Sequence, residues 1–165
     1  MPKSEVSEEA RALLRRAMAL HSDGEIDAAL AAAEEAVEAA PDFGEAHSYL
    51  GNTLVTRKRR FADGLAALDR ALEAAPQDAT IVYTAGWCQE FVANALERPK
   101  GAHQPVTASA DELYASARVL MLRALELDPD QGLRGDIEDI LDVIAAATGE
   151  PWSDEEVSRA APRAR

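Results

Sequence analysis

Asp42-Phe-Gly-Glu-Ala-His-Ser-Tyr-Leu-Gly-Asn52, followed a little further on by Gly64-Leu-Ala-Ala-Leu-Asp-Arg-Ala-Leu-Glu-Ala-Ala-Pro76, decides how this chain folds. Each half carries apolar residues at helical spacing, so the stretch predicts two amphipathic helices joined by a short polar turn. Pro76 stops the second helix, because the residue before a proline is pushed out of the helical region. Asp42 and Glu45 have the spacing of a capping box at the start of the first.

The same unit is echoed on both sides. Upstream, Val6, Ala10, Leu13, Leu14, Ala17 and Leu20 stripe a helix expected over 5–21, and Ile26, Ala29, Leu30, Ala33, Ala36 and Val37 stripe one over 25–40 that Pro41 ends. Downstream, a helix is expected over 79–96 and another over 110–127, capped by Ser109 with Glu112 and closed by Asp128-Pro129. Between them Arg98 to Thr107 is too rich in Pro and Gly for any helix, which predicts an extended loop. Leu133, Ile137, Ile140, Leu141 and Ile144 mark one more amphipathic helix, ended by Gly149 and Pro151, and Ser153 to Glu156 opens a short last one that Trp152 docks. Residues 1–4 are expected to fray and Pro162 to Arg165 to be disordered.

Leu50, Gly51, Phe61, Ala71 and Pro76 fall at the Leu-Gly, aromatic, Ala and Pro positions of a helix-turn-helix pattern with a period of roughly 34 residues, and at these positions the chain resembles a tetratricopeptide repeat protein. Pro41 to Pro76 is 35 positions, the extra residue being placed in the basic turn, and Pro76 to Pro129 is 53, lengthened by the loop. The resemblance implies an all-α fold: a right-handed α-solenoid of about three helix pairs plus a C-terminal capping helix. The expected division is 1–9 as an N-terminal extension, 10–43, 44–78 and 79–130 as three repeats (the third with an inserted loop about 98–109), 131–149 as the capping helix, and 150–165 as a short helix and tail.

Function follows the same resemblance. In such repeats the first helix of each pair lines a concave groove that binds a peptide or helix of another protein. Carried over position by position, the groove takes Arg11, Leu14, Arg15 and Met18 from the first repeat, Tyr49 and Asn52 from the second, and Tyr83, Trp87, Glu90 and Phe91 from the third. Aromatics anchor interfaces at low entropic cost, and this stripe holds much of a chain that is only 5% aromatic. A clamp for a C-terminal carboxylate, known in this family, is unsupported: Asn52 matches it, but Leu14, Met18, Tyr49, Thr80 and Thr84 occupy its remaining positions. The expected function is therefore a non-enzymatic interaction module, adaptor, scaffold or chaperone-like. The alternative is a subunit that self-assembles, as a homodimer, through the third repeat, the loop or the C-terminal helix.

Composition bounds the other classes. A net charge of −13 argues against a nucleic-acid or anionic-membrane surface. Arg57-Lys-Arg-Arg60 is the densest positive run, and Arg57, Lys58, Arg59 and Arg60 form a candidate electrostatic patch on a solvated turn after a helix C-terminus. No apolar run approaches the ~20 residues of a spanning helix, no signal-peptide core is visible, and the single cysteine fits a reducing compartment, so the expected location is cytoplasmic. His21, His47 and His103 lack any metal-ligand spacing with Cys88, which reads as a small buried residue, and Asp128-Pro-Asp-Gln-Gly132 misplaces the glycine of a calcium loop. No cofactor, metal or catalytic constellation is called for.

Overall fold

A computed structural model describes residues 5–160, with side chains described as far as Val157. Residues 1–4 and 161–165 lie outside the described residues, and with them the expected fraying of 1–4 and disorder of Pro162 to Arg165. The described chain is all-helical, with eight helices in sequence-adjacent pairs, and it divides into two compact units.

The first unit comprises Met1–Pro76 together with His103–Pro105. It holds α1 (Glu8–Ser22), α2 (Ile26–Ala39), α3 (Gly44–Lys58) and α4 (Phe61–Ala74). Ser7 caps α1 by accepting the Ala10 N–H, and Gly24, at φ +81°, supplies the left-handed residue that turns the chain into α2. α1 and α2 pack through Ala10, Ala17, Ala29, Ala33 and Ala36, all fully buried. Methyl-sized side chains let the two backbones approach closely. α3 and α4 come closer still, since a Cβ on Gly51 would stand 2.7 Å from the Gly64 carbonyl oxygen and one on Gly64 2.9 Å from that of Gly51. Glycine is thus required by backbone on both sides of this crossing.

One cap and one stop differ from expectation. The capping box at Asp42 does not form: the N-cap of α3 is Phe43, which makes no side-chain cap bond. Phe43 is instead buried with Ala10, Leu14, Ala36 and Ala46, and this apolar anchor stands in place of the side-chain cap at a helix that begins, as expected, at Gly44. α3 also runs on to Lys58, and Arg59, in the left-handed region at φ 52°, closes the turn.

The second unit comprises Gln77–Ala102 and Val106–Arg165. It holds α5 (Ala79–Glu97), α6 (Ala110–Glu126), α7 (Gln131–Thr148) and α8 (Asp154–Ala160). Side-chain caps start three of these: Asp78 accepts from Thr80 and Ile81, Ser109 from Glu112, and Asp130 from Leu133. Tyr114, Ala117, Met121 and Ala124 of α6 are buried, as are Ile137, Leu141 and Ile144 of α7, which packs on α6. α7 therefore covers an apolar face that the helix pair would otherwise expose, which is the task of a capping helix. α8 packs on α6 through the Arg118–Glu156 ion pair, and the Trp152 indole N–H donates to Asp142.

Candidate functional site

In the first unit, α1 carries Arg11, Leu14, Arg15 and Met18 at successive helical turns of one stripe. Arg11 and Arg15 are exposed and Met18 is 48% exposed, whereas Leu14, at 4%, belongs to the core beside Phe43. These four, with Phe43 and Glu45, line a shallow hollow of about 150 Å³ whose floor is Leu14. The Arg11 guanidinium lies 6.0 Å from the Phe43 ring centroid. Arg15 pairs with Glu8, and that hydrogen bond holds the Glu8 carboxyl below its usual range. On α3, Tyr49 is half-buried, its hydroxyl 2.9 Å from His21 Nδ1 and its ring edge-on to the imidazole, while the Asn52 carbonyl accepts the Thr56 hydroxyl. Burial pushes the Tyr49 phenol up.

The basic run does not form one free cluster. Lys58 pairs with Asp27, Arg60 grips Asp63 through two guanidinium nitrogens, and the Arg59 guanidinium lies 5.1 Å from the Phe61 ring centroid. Arg57, in the last turn of α3, is exposed.

In the second unit, Tyr83, Trp87, Glu90 and Phe91 form one stripe along α5, every one half-buried. The Trp87 and Phe91 rings are 5.6 Å apart and tilted by 34°. Burial pushes the Tyr83 phenol up, and the carboxylates of Asp136 and Asp139 on α7 add to that rise. Burial likewise raises the Glu90 carboxyl. Asp136 and Asp139 were not anticipated at this face. The available signal was their spacing of three, which puts both on one side of α7.

A larger hollow of about 560 Å³ was also missed. It is lined on α6 by Asp111, Tyr114, Ala115, Arg118 and Val119, and beyond by Ala147, Thr148 and Glu150. Val119, 66% exposed, is out of step with the buried stripe of its helix.

Burial pushes the Cys88 thiol up to about 12, which leaves almost no thiolate near neutral pH. Among the described residues no three His, Cys, Asp or Glu side chains gather as metal ligands, and no helix is long and apolar enough to cross a membrane.

Adjacent helices returning through short turns and crossing on glycine and alanine define a helical-repeat protein. The tetratricopeptide repeat model matches residues 3–42 and 14–79, and over these residues, just under half of its length, the chain is similar to that family. Such repeats generally mediate protein–protein interactions. No curated protein matches the chain.

Proposed function

We propose that this protein is a non-enzymatic adaptor or scaffold that holds a peptide or helix of a partner protein against the faces of its inner helices. The observation that carries this reading is the α5 stripe. Tyr83, Trp87 and Phe91, large rings in an aromatic-poor chain, stand half-buried on a single helix face, where a partner's apolar side chains would complete their burial. The hollow between Arg11, Met18 and Glu45 offers a second, smaller foothold of mixed character in the other unit.

The test is capture of partners from native lysate by the wild-type chain and by a Trp87→Ala, Phe91→Ala double variant whose helical circular-dichroism signal is intact. Loss of the captured protein in the variant is expected. Equal capture removes the α5 face from consideration.

Self-assembly has one observation in its favour: Val119, with Ala115, stands exposed beside the 560 Å³ hollow of the second unit. Light scattering over a dilution series separates the readings, and a Val119→Glu change that converts a dimer to monomer would establish this one.

A further inference from the structure

We infer that the α5–α7 face of the second unit is built to receive a basic, arginine-bearing segment of a partner protein, stacked on Trp87 and Phe91 and paired with Glu90, Asp136 and Asp139. The inference rests on the interaction-module reading above and adds the chemistry of the occupant.

Charge accounting leads to it. α5 contains no Lys or Arg, and α7 contains a single Arg against four Asp and Glu. That arginine, Arg134, lies 4.0 Å from Glu138. Asp142 accepts the Trp152 indole, and Glu97 accepts the Tyr114 hydroxyl. Glu90, Asp136 and Asp139 are left, and among the described residues none of the three is in an ion pair.

Geometry sets the two aspartates at the Tyr83 end of the α5 stripe and Glu90 about two helical turns further along it, on the side that also faces Tyr114 of α6. α5 and α7 pack on each other. On α7 the residues Ile137, Leu141 and Ile144 are buried, which turns Asp136, Asp139 and the 45% exposed Val143 to the side that leaves Tyr83 of α5 within the field of both aspartates. On α5 the half-buried Glu90 lies one turn beyond Trp87 and flanks the Trp87–Phe91 pair on the Tyr83 side of the stripe. A carboxylate that is partly desolvated and lacks a counter-charge favours any ligand that brings one. Arginine fits better than lysine here, since its planar guanidinium stacks on an aromatic face and offers paired donors to a carboxylate. An acidic or phosphorylated segment would meet three like charges, and a wholly apolar one would bury them unmatched.

The experiment uses the full chain carrying Trp152→Phe, so that Trp87 is the sole tryptophan and its fluorescence reports this face. The probes are three amphipathic peptides of one apolar pattern whose polar face is Arg, Gln or Glu, titrated at about 0.15 M salt, where the screening length is ~8 Å. The Arg peptide is expected to shift Trp87 emission. Glu90→Gln with Asp136→Asn and Asp139→Asn should weaken it at least about tenfold, while Glu34→Gln, Glu35→Gln and Glu38→Gln on α2 change it less than about twofold. Glu90→Gln alone, the mildest change, should weaken it in part with helicity unaltered. Equal loss from the α2 set shows diffuse attraction and overturns the inference, as does an Arg peptide that leaves Trp87 unmoved at millimolar concentration. A Gln or Glu peptide that binds at Trp87 as tightly as the Arg peptide also overturns it, yet leaves the α5 face as an interaction site, which only the lysate capture above can remove.

Discussion

The side-chain carbonyl of Gln104 accepts the backbone N–H of Asp63 at 2.9 Å, across 41 positions of sequence. α4 begins at Phe61 without a side-chain cap from Arg60, so one of its unpaired N–H groups is satisfied by a residue of the inserted loop. The Gln104 N–H in turn donates to the Arg59 carbonyl at 2.9 Å, and the neighbouring His103 ring stacks on Phe61 at 4.8 Å. His103–Pro105 is thereby part of the first unit's α3–α4 corner.

Gln104→Ala is expected to lose this cap and cost about 1 kcal/mol, the usual range for an N-terminal helix cap. Urea denaturation gives the stability change, and amide exchange supplies the local readout. Protection of the Asp63 N–H should fall in the variant ahead of the α1 and α2 amides. Unchanged protection would mean that water replaces Gln104 without loss.

The glycine crossing makes an ordered prediction. Gly51→Ala puts its Cβ 2.7 Å from the Gly64 carbonyl and 2.6 Å from Leu68 Cγ, and Gly64→Ala puts its own 2.5 Å from Val55 Cγ2, so the helices must separate. Overpacking of this kind costs ~1 to 3 kcal/mol, more than the ~1 kcal/mol that alanine gains in helix propensity. Gly86→Ala meets first the far end of a flexible side chain, Met121 Cε at 3.0 Å, then Leu120 Cβ at 3.2 Å. Urea midpoints should drop for the first two substitutions and stay near wild type for Gly86→Ala. A Gly86→Ala drop as large as the others would contradict this ranking.

Much of this fold is written in the order of residue types, because helix periodicity and proline punctuation are local properties. Pro41, Pro76 and Pro129 end helix pairs, the Pro- and Gly-bearing loop falls between Glu97 and Ala110, and Gly64 marks a crossing, all readable without coordinates. What escaped is long-range. The pairing of Gln104 with Asp63 has no period, since a loop residue gives no sign of which corner it will fill. Asp42 looked like a cap because the spacing to Glu45 is right, but the N-cap of α3 is Phe43, buried with Leu14 and Ala46. At the candidate site the α5 stripe is supplied by the family resemblance, carried over position by position, whereas the approach of Asp136 and Asp139 to Tyr83 depends on how α7 lies against α5.

Cys88 should behave as an inert core group. It is fully buried, and burial pushes its thiol up to about 12, so both access and ionisation oppose attack on a disulfide reagent. With a chromogenic disulfide at mildly alkaline pH, labelling of the native chain is expected to be at least about 100-fold slower than in denaturant, and to track unfolding as urea is raised. Fast labelling of the native chain would place the thiol at the surface.

Glu90 gives the folded state a pH dependence of known sign. Burial raises its carboxyl above the 4.5 of a solvated glutamate, so between the unfolded and folded pKa values the native state holds more protons than the unfolded one. Stability from this group is therefore highest below pH 4.5 and is lost as pH rises through the folded pKa. Glu90→Gln removes the charged form and should raise the melting temperature at pH 7 by about 1–2 °C, an advantage that fades as the solution is acidified towards pH 4.5. Parallel melts of wild type and variant across that window measure it directly. A variant that is less stable than wild type at neutral pH would mean that the carboxylate already has a favourable partner within the chain, and that Glu90 does not await an incoming cation.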